Sequence, residues 1–364
     1  MIELFGNVTI MRVESWPRTG GKAMLKMGIV GLGKMGAFHA DWIRQNEGME
    51  LVAVCDKNSE RLETAKTRYG VEVYDDYNKF LGIENMDFVV VVTTNDVHES
   101  LSIKALENKK NVIVEKPMSV NYESCFRMVK AAEQHKKHLF VHQSSRWDRD
   151  FLLIKDTIAS GILGEILTIQ SNVLLCDEGW PAWGIDGMAN PWRIKAEYFG
   201  GLLFDWGPHL VDQMLLLKKE DPVGVYGLLQ SGVWTTEVDD HFFAVVKFKD
   251  KTICRIEVSN NARIALPRWH IIGTKGTLEV KGFHEPVWDQ AELVFVGEDG
   301  RKESRKITLH DVKESGIEGG FYEDLIPFLK GKKKEFVSMH EAAKVVKVLE
   351  LIKKSSDENR FIAF

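Results

Sequence analysis

Apolar and polar positions along this chain fall into two textures that change near Arg146. From Lys26 onward, short apolar runs alternate with stretches of helical period. Residues 27–31 predict a strand and 34–46 a helix, followed by a strand at 51–55 and a helix from 59 to about 69. The run Phe88-Val89-Val90-Val91-Val92 is too short for a helix and is bounded by polar residues. That is the pattern of a central parallel strand covered on both faces. A helix over 96–108, a strand at 111–114, a helix over 121–137 ending in a basic cluster, and a strand at 139–142 complete the series. Such alternation predicts right-handed crossovers and a doubly wound parallel sheet, an α/β Rossmann domain.

Beyond Arg146 one helix (151–160) precedes strand-like stretches at 166–176, 223–234, 242–248, 252–259, 269–272, 277–281 and 292–296. They follow one another without helices, so an α+β domain with a large, mostly antiparallel open sheet is expected. Residues 245–252 read as a hairpin turning on Lys249-Asp250-Lys251. A closing helix at 339–354, apolar at Val345, Val348, Leu349 and Ile352, is expected to pack back on the first domain. The expected division is a dinucleotide-binding domain over 25–145 and a substrate-binding and oligomerisation domain over 146–364. Residues 1–24, with Pro17 and Gly20-Gly21, fit neither texture and are expected to be a mobile leader or extended start.

Length supports this division, because 364 residues exceed what one core ordinarily serves. A net charge of -5 offers no basic surface for nucleic acid. No apolar run approaches the roughly 20 residues that span a bilayer, and a cytoplasmic location is expected. Cys55, Cys125, Cys176 and Cys254 form no CxxC pair and read as buried thiols. No His/Cys cluster has metal-ligand spacing, so no metal is expected.

Chemistry enters at Gly31-Leu32-Gly33-Lys34-Met35-Gly36, between a predicted strand and a predicted helix. Gly31 permits the tight turn, Gly33 the approach of a pyrophosphate, and Gly36 close helix–strand packing. The helix N-terminus presents free N–H groups to phosphates. Asp56 ends the second strand 20 residues after Gly36, where a ribose-binding acid belongs. It favours NAD over NADP, although the adjacent Lys57 softens that preference.

Glu115-Lys116-Pro117 follows the apolar strand Val112-Ile113-Val114, at the strand end where open α/β sheets bind ligands. A surface lysine before a turn proline is the alternative reading. In Gly200-Gly201-Leu202-Leu203-Phe204-Asp205-Trp206-Gly207-Pro208-His209, Pro208 marks a helix start with Asp205 before it and His209 in its first turn. Acid and base so placed can face one cleft, and the helix N-terminus disfavours imidazolium. A helix-start acid with a packed histidine is the alternative. Trp192-Arg193, after the aromatic stretch Gly179-Trp180-Pro181-Ala182-Trp183, reads as lining for a polyol pocket or as loop packing.

At these residues the chain resembles the Gfo/Idh/MocA oxidoreductases over nearly all of 26–364. The resemblance is carried by GLGKMG (31–36), TTNDVH (93–98), EKP (115–117), GILGEI (161–166), GGLLFDWGPHLVD (200–212) and GTKGTLE (273–279). Ser145-Arg146-Trp147-Asp148-Arg149-Asp150-Phe151 looks like the scyllo-inositol dehydrogenase branch. The chain departs from the family at Thr94, where proline is frequent, and at Asp56, since some members of that branch lack the acid and use NADP. The resemblance implies hydride transfer between a nicotinamide and a secondary alcohol of a cyclitol, sugar or glycoside. Lys116 would bond the reacting hydroxyl, His209 take its proton and Asp205 orient them. It implies cofactor contacts from Lys34, Met35, Thr93, Asn95, His98, Glu115 and Lys116 beside the glycines and Asp56, with His98 also readable as a helix first-turn residue. Substrate contacts are implied from Lys116, Arg146, Trp192, Arg193, Asp205 and His209. It also implies a homodimer or homotetramer through the C-terminal sheet. Glycoside cleavage through transient oxidation, and non-catalytic sensing of NAD or sugar, are the alternative functions.

Overall fold

Apolar alternation becomes two sheets. The structure, a computed structural model, describes residues 24–175, 180, 191–282, 289–312 and 320–364. The first sheet takes strands β1 (Leu25–Val30), β2 (Met49–Cys55), β3 (Glu72–Tyr74), β4 (Phe88–Val91), β5 (Asn111–Glu115) and β6 (Leu139–His142). Helices α1 (Lys34–Gln45), α2 (Ser59–Tyr69), α3 (Tyr77–Leu81), α4 (His98–Glu107) and α5 (Tyr122–His135) connect them. All pairings are parallel, in the order β3-β2-β1-β4-β5-β6. Every residue of β4 is buried, as its unbroken apolar run requires. The reversal of order between β1 and β4 opens a crevice at the strand ends, the usual ligand position of this architecture.

The second region comprises α6 (Arg149–Ala159), β7 (Ile166–Leu174), α7 (Leu202–Asp205), α8 (Gly207–Lys218), β8 (Gly224–Gln230), β9 (His241–Lys247), β10 (Ile253–Ser259), β11 (Trp269–Gly273), β12 (Gly276–Val280), β13 (Gln290–Val296) and β14 (Lys302–Thr308). It closes with α9 (Gly320–Leu329), α10 (Met339–Glu358) and β15 (Ile362–Ala363). Among the described residues the sheet runs β14-β13-β12-β11-β7-β10-β9-β8-β15, antiparallel except for the β7–β10 pair. The hairpin turns on Lys249-Asp250-Lys251, with Lys251 left-handed at φ 72° and the Phe248 N–H donating to the Thr252 carbonyl.

Alternation missed β14 because Lys302-Glu303-Ser304-Arg305-Lys306 presents no buried face. A charged edge strand of this kind resists pairing with another chain. It also missed α9, which carries Pro327 inside it, a residue that interrupts the helical pattern. The helix α10 starts with a capping box from Ser338 and Glu341. Ala342, Ala343 and Val346 join the core around the first sheet, while Val345, Val348, Leu349 and Ile352 join the core under the second. Residues 1–23, Cys176 and Gly179, and 181–190 lie outside the described residues, so the leader and most of the aromatic stretch do too. The other three cysteines are free and buried. Among the described residues, no helix is long and apolar enough to cross a membrane.

Candidate active site

Two cavities meet between the sheets. The first, of about 470 Å³, lies over the glycine turn. Gly31 is left-handed at φ 94°, and a Cβ there would stand 2.1 Å from the Val92 carbonyl oxygen. A Cβ on Gly36 would stand 2.1 Å from the Gly31 oxygen. At Gly33 the nearest atom to a Cβ is Arg61 Nη1 at 4.0 Å, so this face of the turn is open. Gly33 caps α1 without a side-chain bond, and no acid stands in the first turn. Uncapped N–H groups and the helix dipole therefore face the open side, which fits a pyrophosphate. Asp56 lines the same cavity, with Oδ2 accepting from the Leu32 N–H at 2.6 Å and Oδ1 from the Asn58 N–H at 2.8 Å. Arg61 Nη1 lies 3.6 Å from Asp56 Oδ2.

The second cavity, of about 510 Å³, lies between α1, the 144–150 segment and the second sheet. Lys116, Arg193 and Asp205 line both cavities, as do Met35 and Glu115. Lys116, just past β5, donates from Nζ to the Asp205 carbonyl at 2.7 Å and to Oδ1 at 2.9 Å. Asp205 Oδ2 accepts from Trp180 Nε1 at 2.9 Å and lies 3.6 Å from Arg193 Nε. Burial alone would push the Asp205 carboxyl up, but Lys116 and Arg193 hold it well below the usual carboxylate range. Asp205 ends α7, whose start is held by Asp239: its Oδ2 accepts from the Leu203 N–H at 2.8 Å. Burial pushes Asp239 itself up to about 7.

His209 lies in the first turn of α8, after Pro208. Burial and then the Lys116 cation lower it to about 3, so it is a neutral imidazole at ordinary pH. Its Nδ1 lies 3.1 Å from Ser145 Oγ. A cation, an ionised acid and a neutral imidazole thus face one cavity, a set suited to moving a hydroxyl proton.

Residues 25–143 match the model of an oxidoreductase family with an NAD-binding Rossmann fold, and 151–279 match the GFO/IDH/MocA C-terminal domain. The chain belongs to the Gfo/Idh/MocA oxidoreductase family. Among its relatives is the myo-inositol 2-dehydrogenase of Thermotoga maritima, 25% identical over 319 residues covering 85% of this chain and 88% of that one. The crystal structure of an NAD-binding protein from Listeria innocua is similar at TM-score 0.81 and 30% identity, covering 94% of this chain and 97% of that one. The WlbA dehydrogenase from Bordetella pertussis, in complex with NADH and UDP-GlcNAcA, is similar at TM-score 0.78 and 25% identity, covering 94% and 99%. This family member is accordingly an NAD(P)-dependent oxidoreductase with an NAD-binding Rossmann domain.

The family pattern brings most of the expected residues together. Gly31, Gly33, Lys34, Met35, Gly36, Asp56, Thr93, Asn95 and Trp192 line the first cavity. Asn95 also donates from Nδ2 to the Phe199 carbonyl at 2.9 Å. The Arg193 guanidinium sits 4.5 Å from the Trp192 ring centroid. Three of the expected contact residues are engaged elsewhere in the fold. His98 is fully buried and lines neither cavity; its Nδ1 donates to the Pro117 carbonyl at 2.9 Å, with Nε2 3.3 Å from the Thr93 oxygen. It fixes two cavity loops from behind. Arg146 lines neither cavity, because Asp212 takes its Nε and Nη2 at 2.7 and 2.6 Å and Glu341 its Nη1 at 3.0 Å. Glu115 reaches both cavities, but its carboxylate is turned inward. Oε1 accepts from His39 Nε2 at 2.8 Å and His142 Nδ1 at 2.7 Å, and Oε2 from the Lys116 N–H at 3.0 Å.

Three residues escaped sequence reasoning. Arg61 carried a faint signal, in the first turn of a helix that starts just after Asp56. Ser145 and Trp206 reach the second cavity only through the tertiary fold. His39, Glu115 and His142 also bring three possible metal-ligand atoms within 4.8 Å of one another, a convergence that no sequence spacing indicated.

Proposed function

We propose that this chain is an NAD-dependent dehydrogenase of a secondary alcohol on a cyclitol, sugar or glycoside. Residues 25–145 would bind the cofactor and 146–364 the substrate. One observation carries the reading: Lys116, Asp205 and Arg193 line both cavities, so a ligand in each would meet at the same three side chains. Lys116 hydrogen-bonds the reacting hydroxyl, and His209 accepts its proton. Asp205 holds Lys116 in place, while Arg193 and Trp192 position the neighbouring groups. A positioned base of this kind contributes roughly 10²–10⁴-fold, and the adjacent cation stabilises developing alkoxide. When bound, a nicotinamide supplies the acceptor for hydride from the carbinol carbon. Asp56 supports NAD over NADP.

The substrate class is also supported by the myo-inositol 2-dehydrogenase relative. A cavity of about 510 Å³ leaves room for a substituent beyond a six-membered polyol, which keeps glycoside cleavage by retained cofactor as the second reading. The proton-moving set argues against a sensor. We further propose that the chain is cytoplasmic and forms a homodimer or homotetramer through the outer sheet face, where Leu228 and Ile253 are exposed beside Phe243 and Val245.

The test is nicotinamide absorbance with NAD or NADP and a panel of inositols, aldoses and glycosides. NAD reduction by one polyol class is the expected result. Aglycone release without net reduction would replace it with the cleavage reading, and silence despite tight NAD binding would overturn both.

A further inference from the structure

Behind Lys116 lies a buried cluster that the reaction scheme leaves unused, drawn from α1 (His39), β5 (Glu115), β6 (His142) and α9 (Tyr322). Its hydrogen bonds run in one direction. Tyr322 OH donates to His39 Nδ1 at 2.6 Å, which leaves the His39 proton on Nε2 for Glu115. His142 donates from Nδ1 to the same carboxylate oxygen. The other oxygen accepts from the Lys116 N–H. His142 Nε2 is buried without a partner, so this histidine serves the cluster only as a donor to Glu115.

Both imidazoles are 0–1% exposed and Glu115 is 6% exposed. Burial alone would push the Glu115 carboxyl up, yet the two histidines hold it well below its usual range. Burial, and then His142, lower His39 to about 4, so its imidazole is neutral at ordinary pH. A metal reading fits less well. The ring nitrogens stand 2.7 and 2.8 Å from one oxygen. That is N–H···O spacing, shorter than the separation of two atoms arranged tetrahedrally about an ion at ~2.0–2.1 Å from each. An anion buried here at several kcal/mol of desolvation, where apolar packing would cost less, calls for a purpose beyond stability.

We propose that Glu115, locked by His39, His142 and Tyr322, is the positioning residue for Lys116. This rests on the reading of Lys116 as catalytic. Glu115 pins the Lys116 backbone N–H while His98 pins the Pro117 carbonyl, so the turn is held on both sides and Nζ is aimed at Asp205. The buried anion also stands next to the lysine whose cation faces both cavities. Through His39 the same carboxylate joins the catalytic turn to α1, the helix whose N-terminus faces the dinucleotide cavity.

The test uses the full chain saturated with NAD and the variant Glu115→Gln, which keeps the shape and removes the charge. With the polyol that the wild type oxidises, kcat should fall about 100-fold while KM and the NAD Kd stay within about twofold. Independently of turnover, labelling of Lys116 by an amine-reactive reagent, read by peptide mass spectrometry against exposed Lys109, should rise at least about fivefold as Nζ loses its fixed aim. Tyr322→Phe should show the same split more weakly, and it carries the test if Glu115→Gln does not fold. A kcat within twofold of wild type, unchanged Lys116 labelling, or KM and NAD affinity falling together with kcat would each overturn the proposal. If the wild type oxidises no polyol, the functional reading fails and the labelling alone decides the role of Glu115.

Discussion

Around the first cavity the chain works through its backbone, and around the second through side chains gathered from distant positions. The glycine turn needs no side chain to hold an anion: Gly33 leaves one face open, and the uncapped start of α1 supplies the donors. The second cavity depends on Lys116, Ser145 and the Asp205–His209 pair, which come from three separate segments and meet only when both sheets are in place. Local backbone geometry is written in consecutive residues, whereas convergence of side chains is a property of the whole fold. Substitutions should therefore fail in different ways at the two cavities.

Lys116→Ala gives the largest expected effect. It removes the donor to the reacting hydroxyl and leaves the glycine turn untouched, so turnover should fall at least about 10³-fold with NAD affinity within about twofold. Steady-state kinetics beside a fluorescence titration with NAD separate the two quantities. Parallel loss of both would mean that the cavities are not built independently.

Gly31→Ala should fail in the opposite manner. A Cβ there would stand 2.1 Å from the Val92 oxygen, on a residue at φ 94°, so backbone must move. Stability should fall by more than about 1 kcal/mol. NAD affinity should fall at least about tenfold as the turn shifts, with kcat at saturating NAD changing less. Denaturant unfolding and NAD titration measure the two losses. Unaltered NAD affinity would show that the close approach at Gly31 does not shape the cavity.

The same division explains what the sequence could disclose. The first sheet was legible almost strand by strand, because β4 and β5 carry apolar runs covered on both faces. Only β3 and α3 were missed, being short. In the second region β9 and β10 were legible from alternation, whereas β14 was hidden by its charged, two-sided exposure and α9 by Pro327. At the site, Asp205 and His209 were singled out because Pro208 marks a helix start. Arg146 was read from its motif as a contact with substrate, while the fold pairs its guanidinium with Asp212 and Glu341. Ser145 left no signal, since nothing in the order of residues says that it will stand beside His209.

Cofactor choice is the finest expected difference, and it lies where backbone and side chain meet. Asp56 presents an anion at the ribose end of the first cavity, which repels a 2′-phosphate, while Arg61 Nη1 stands 3.6 Å from that carboxylate and would attract one. Asp56 is also structural, accepting the Leu32 and Asn58 N–H groups. Asp56→Asn is the appropriate change, since it removes the charge and keeps an acceptor oxygen for the turn. The ratio of kcat/KM for NAD to that for NADP should drop about tenfold, a difference of about 1.4 kcal/mol. Arg61→Ala should move the ratio the other way by a similar or smaller factor, because the cation is a quarter exposed and its attraction is screened by solvent. If Asp56→Asn leaves the ratio unchanged while Arg61→Ala shifts it, cofactor choice belongs to the guanidinium and the acid serves only to hold the glycine turn.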